Sequence, residues 1–158
     1  MKIVLIEDET LAAEKLKRYL LKHNADNNVV KSLTSISESV IWFQSNQDYD
    51  VVFMDIQLTD GLSFEIFNQV KITKPVIFTT AFDEYAIDAF KVNSIDYILK
   101  PITFTDVSNA MSKLSQMQKV FAGNDAMISV VKQIVEKKTK DRFLVRLGNH
   151  IHSIKTTE

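Results

Sequence analysis

The chain has no cysteine among its 158 residues, so neither a disulfide framework nor a thiolate metal site is available, and a reducing cytoplasm is the natural setting. Glycine is nearly as scarce, with three positions. None follows the first apolar run, so the G-x-G-x-x-G turn that cradles a dinucleotide is missing. No apolar stretch approaches the ~20 residues that span a bilayer, and the start MKIVLIEDE lacks the form of a secretory signal. A cytoplasmic protein with no membrane association is expected. Only two prolines occur; Pro75 introduces an apolar run and Pro101 stands just beyond another.

What is present suits one soluble domain with extra material, at 46% hydrophobic and 25% charged residues. The net charge of −1 conceals an asymmetry. Residues 1–118 carry 11 Lys plus Arg against 16 Asp plus Glu, whereas residues 119–158 carry 8 against 4. A solvated tail and a basic segment attached to nucleic acid both fit that split.

Short β-rich runs alternate with stretches of helical period, which favours parallel βα units over an antiparallel meander. Strands are expected at 2–6, 28–33, 50–54, 76–79 and 95–99. The first and third should be central, because their near-continuous Val, Ile, Leu, Met and Phe content implies burial on both faces. Helix one should bury Ala12, Leu16, Tyr19, Leu20 and His23, and helix two Ile36, Val40, Ile41 and Phe43. Helix three, capped by Ser63, should bury Leu62, Ile66 and Val70. A fourth helix is expected from Asp83 through Phe90. Thr103 and Asp106 have capping-box spacing before a fifth, with Val107, Ala110, Met111, Leu114 and Met117 at helical intervals. Ala122 to Asp125 is the best break. Beyond it come an amphipathic linker helix and a hairpin-like segment, 142–155, turning at Gly148-Asn149, which needs a partner surface or the remainder of a domain.

Five polar groups stand directly after these runs: Glu7, Asp8, Asp55, Thr80 and Lys100. Parallel strands would gather them in the crevice at the carboxyl edge of the sheet, where open α/β folds bind ligands. Three carboxylates, a hydroxyl and an ammonium suit a magnesium ion and a phosphoryl group. Asp55 is the candidate nucleophile, able to carry an aspartyl phosphate. Asp8 and Asp55 are candidate direct Mg²⁺ ligands, with Glu7 acting through water and the Gln57 carbonyl adding a ligand. Mutual repulsion among the carboxylates should raise their pKa values unless a cation is bound. Lys100 would neutralise a phosphoryl oxygen, and Thr80 would donate to one. The Lys100-Pro101 bond is a candidate cis peptide. Tyr97, on the neighbouring strand, pairs with Thr80 as a candidate switch: Thr80 moving toward an added phosphoryl charge would vacate space for the ring.

These residues resemble the receiver domain of two-component response regulators over roughly residues 1–118, in an acidic pair, an Asp, a Thr-Ala and a Lys-Pro in order. The resemblance implies a flavodoxin-like, doubly wound five-stranded parallel sheet, order 2-1-3-4-5, with five helices. It also implies phosphorylation by a sensor histidine kinase or small phosphodonor, slow self-dephosphorylation and dimerisation on activation. The stretches Phe78 to Ala86 and Asp96 to Ile102 look more narrowly like receivers joined to LytTR-type DNA-binding domains, and Lys140 to Val145 looks like that domain's first strand. The implied organisation is a receiver at 1–118, a helical linker at 119–140 and the truncated start of a DNA-binding domain at 141–158. Any DNA contact would then come through the missing remainder.

Of the competing readings, a stand-alone receiver is the serious rival. A haloacid-dehalogenase-type phosphatase needs a second Asp where Gln57 stands. A stand-alone receiver signalling through protein contacts, with no DNA output, shares every site residue. His150 and His152 lie on one face of the expected hairpin but lack a third metal ligand. Trp42, Phe43, Phe104, Met111 and Met117 read as packing residues.

Overall fold

The computed structural model describes residues 1–85 and 94–123. Five strands form one parallel sheet: β1 (Lys2–Ile6), β2 (Asn28–Leu33), β3 (Val51–Asp55), β4 (Val76–Thr80) and β5 (Ser94–Leu99), in the order β2-β1-β3-β4-β5. This is the doubly wound α/β sheet expected from the sequence. β3 and β4 each end one residue later than expected, because Asp55 and Thr80 still pair with their neighbours across the ladder.

Alternation along the strands builds a core on each face. Val4, Ile6, Val52, Met54, Val76 and Phe78 belong to one buried cluster, which includes Ile36, Val40 and Phe43 of helix α2 (Ile36–Ser45) and Ile66 of α3 (Glu65–Gln69). Ile3, Leu5, Val51, Phe53 and Ile77 join the other, with Leu16 and Leu20 of α1 (Thr10–His23) and Val107, Ala110, Met111 and Leu114 of α4 (Phe104–Gly123). β1 and β3 lie between other strands, which is why both of their faces are apolar.

Three local expectations are corrected. Ile41 is 67% exposed, and Ser39 takes the inward position on α2, its hydroxyl bonded to the Ser35 carbonyl at 2.7 Å. Leu62 is also exposed, lying in a two-residue antiparallel ribbon, Gln57–Leu58 with Gly61–Leu62, ahead of α3. Ser63 does not cap α3: the cap position is Phe64, and the Ser63 hydroxyl is buried without a hydrogen-bond partner. Aromatic packing holds this one-and-a-half-turn helix instead, with Phe64 and Phe67 at 5.3 and 6.2 Å from the ring of Phe78.

Thr103 and Asp106 form the reciprocal cap of α4, each backbone N–H donating to the other's side chain at 3.1 Å. That helix continues to Gly123, so the expected domain boundary at 118 falls inside it. A 3₁₀ turn, Asp83–Tyr85, follows β4. The rest of the expected fourth helix, the linker helix beyond Gly123, and the hairpin with His150 and His152 lie outside the described residues.

Phe78→Ala should lower stability by about 3–5 kcal/mol in urea denaturation. Amides 65–69 should also exchange faster than those of β1, because the truncation removes the surface on which α3 rests.

Candidate functional site

The two-residue alternation that buries Ile3 and Leu5, Val51 and Phe53, and Ile98 carries Glu7, Asp55 and Lys100 to the same side of the sheet, at the carboxyl ends of their strands. There the Lys100 Nζ donates to Glu7 Oε2 at 2.8 Å and to Asp55 Oδ2 at 3.0 Å. Glu7 Oε1 accepts the Glu9 N–H at 3.0 Å, and Asp55 Oδ1 accepts the Gln57 N–H at 3.3 Å. The Lys100-Pro101 peptide is cis.

Asp8 completes an acidic cup: one carboxylate oxygen from each of Glu7, Asp8 and Asp55 lies within 4.8 Å of the others. Glu7 and Asp55 are buried, and Asp8 is partly so. The Lys100 ammonium bonds two of these three carboxylates, and Glu9, exposed at the rim, adds a further one at 3.8 Å from Nζ. The donor set is all oxygen and carries excess negative charge, which fits a hard divalent cation such as Mg²⁺.

Burial is the main cause of the electrostatic state, ahead of the expected repulsion. It pushes the Glu7 carboxyl up to about 7, against the pull of the Lys100 hydrogen bond and the Glu9 amide. Burial also raises Asp55, again opposed by Lys100. Lys100 is itself raised: burial would lower it, but the bonds to Glu7 and Asp55 prevail. A single ammonium shared by two desolvated carboxylates cannot fully satisfy both.

Thr80 and Tyr97 meet at a different point. Thr80 is fully buried at the end of β4, one residue beyond Thr79, the strand partner of Asp55, and its hydroxyl accepts the Phe82 N–H at 3.2 Å. Tyr97, partly buried against the α2–α3 side of the core, donates its hydroxyl to the Phe82 carbonyl. The two candidate switch residues thus hold opposite sides of one backbone unit. Gln57 lies in the ribbon after β3, its main chain turned to Asp55 and its side-chain amide donating to the Tyr85 hydroxyl at 3.2 Å.

A family model described as the response regulator receiver domain matches residues 3–112. The chain belongs to that family. Among its relatives, the sensory transduction protein LytR of Streptococcus agalactiae is 34% identical over 150 residues, covering 91% of this chain and 58% of the relative. The transcriptional regulatory protein LytR of Staphylococcus aureus is 30% identical over 158 residues, covering 98% and 62%. For the sensory transduction protein LytT of Bacillus anthracis the identity is 34% and the covered shares are 75% and 49%. The chain therefore spans from about half to under two thirds of these relatives' length. Among solved structures, the response regulatory domain of protein mrkE from Klebsiella pneumoniae is 28% identical with a TM-score of 0.66, matching 73% of this chain and 96% of that one. Among the described residues of this receiver, no helix is long and apolar enough to cross a membrane.

Sequence reasoning missed three parts of the surroundings. Glu9 stands near the ammonium, Tyr85 receives the Gln57 side chain, and the Asp60 carboxylate binds the start of α2. Only Asp60 carried a local signal, as an Asp before Gly61, and it was legible as a turn residue alone.

Because the folded Glu7 value lies above the ordinary 4.5, folding favours the neutral acid. The stability this contributes is complete below the unfolded value and is lost as pH rises through about 7. Asp55 acts with the same sign. The denaturation midpoint of the cation-free receiver should therefore fall from about pH 5 to about pH 7.5. Glu7→Gln should flatten that slope; an unchanged slope would assign it to other groups.

Proposed function

We propose that this receiver takes a phosphoryl group on Asp55 with Mg²⁺ and thereby switches the output of a longer response regulator. The observation that carries the reading is the cup itself: a buried carboxylate at the end of a central strand, flanked by two further carboxylates and touched by one ammonium. Asp8, Asp55, Glu7 and the Gln57 carbonyl would hold the ion, which would supply positive charge to a phosphoryl oxygen and keep Asp55 ionised for attack. Lys100 already lies within hydrogen-bond distance of the acceptor oxygen Asp55 Oδ2 and would exchange that contact for a phosphoryl oxygen.

Catalysis here is positioning and charge neutralisation, which makes the receiver the agent of its own phosphorylation and slow dephosphorylation rather than a conventional enzyme. The phosphodonor would be a sensor histidine kinase, the usual partner of this family, or a small phosphorylated molecule. Once phosphorylated, the site would draw the Thr80 hydroxyl from the Phe82 N–H, and the loosened Phe82 unit would release Tyr97. That change would reach the face formed by the segment after β4, β5 and α4, on which a homodimer would form.

The output we infer is transcription control. The LytT and LytR relatives are longer than this chain, and one carries the name transcriptional regulatory protein. Residues 1–118 would be the receiver, 119–140 a linker and 141–158 the start of a DNA-binding domain. A receiver working alone through protein contacts remains the second reading; DNA binding by the longer protein separates the two.

Incubation with acetyl phosphate and Mg²⁺ should add one phosphoryl group to the wild type, seen by intact mass, and none to Asp55→Asn. Chelation of the metal should abolish the wild-type signal. Equal uptake by both proteins would exclude Asp55 as the acceptor.

A further inference from the structure

We infer that Asp60, which is not part of the acidic cup, is a positioning residue for it, bracing the ribbon after β3 against α2. The inference rests on the reading of the cup as a cation and phosphoryl site.

The ribbon is tied at both ends. At its base the Gln57 N–H donates to Asp55 Oδ1, and the Ser63 N–H donates to the Ile56 carbonyl at 2.7 Å. At its tip the Asp60 carboxylate accepts the N–H groups of Ile36 and Ser37, at 2.9 and 3.2 Å. These are the first two amides of α2, which have no acceptor within their own helix. Ser35 serves a third, its hydroxyl accepting the Glu38 N–H at 3.1 Å. The helix end is thus capped from two sources, one of them the loop that leaves the candidate acceptor.

Two further observations make this a seat rather than a passing contact. The two amides hold the Asp60 carboxyl below its ordinary range, the Ile36 N–H being the main cause. Gly61, at φ +136°, has the conformation that glycine alone adopts freely, and a Cβ there would stand 3.3 Å from Ile36 Cδ1. Between tip and base, Ile56 and Leu58 are buried in the same cluster as Ile36. The ribbon therefore has little freedom to swing independently of α2, and Gln57 is held where its N–H meets Asp55.

Mutating groups that orient metal ligands from behind typically costs about 10–100-fold in metal affinity. The test is a magnesium chloride titration followed by the amide shifts of Asp8, Ile56 and Gln57, with thermal unfolding beside it. Asp60→Ala should weaken Mg²⁺ binding roughly tenfold. Asp60→Asn keeps a neutral acceptor for one amide and should show a smaller loss. Ser35→Ala removes the other cap of the same helix; it should lower the unfolding temperature yet leave Mg²⁺ affinity unchanged.

Wild-type affinity in Asp60→Ala would overturn the inference, as would an equal loss in Ser35→Ala, which would reduce the effect to helix destabilisation. Where Asp60→Ala does not fold, Asp60→Asn decides, and wild-type affinity there overturns the inference. Absence of any Mg²⁺ shift in the wild-type cup would instead overturn the reading of the site, and this inference with it.

Discussion

One ammonium between two buried carboxylates is the constraint around which the carboxyl edge is organised. Lys100 joins the end of β5 to Glu7 after β1 and Asp55 at the end of β3, across the intervening β4. Without it, two desolvated negative groups would face each other with Asp8 alongside, and breaking a buried pair leaves an uncompensated charge. With it, the site is held together but still carries more acid than base. That residual imbalance fits a hard divalent cation.

The sheet serves this arrangement by being apolar on both faces. α1 and α4 cover one side and α2 and α3 the other, so polar chemistry is confined to the rim where the strands stop. The rim contains a second organising point, the backbone of Phe82. Its N–H is bonded by Thr80 and its carbonyl by Tyr97, so both side chains hold the main chain of one residue.

Much of this was legible in the sequence because it depends on periodicity and strand-end position. The continuous runs Ile3 to Ile6 and Val51 to Met54 implied two central strands, and the carboxylates following them implied a shared pocket. The illegible parts depend on the approach of distant segments. Ile41 has the helical phase of a core residue, yet among the described residues it is 67% exposed. Ser63 looked like a cap because of its place before an apolar stretch, but the ribbon draws its N–H to Ile56 and leaves Phe64 as the cap position of α3. The role of Asp60 is hidden because the amides it accepts from, those of Ile36 and Ser37, lie 24 and 23 positions away. The dominance of burial over repulsion at Glu7 likewise needs coordinates, since sequence shows which charges exist but not how much water they lose.

The order in which the rim is completed has a consequence for a chain still being made. Glu7 and Asp55 emerge from the ribosome well before Lys100, which arrives behind the last strand. Until that strand docks at the edge beside β4, Glu7 and Asp55 lack the ammonium that bridges them in the folded receiver. The carboxyl edge is therefore electrostatically complete only once all five strands of the sheet are in place.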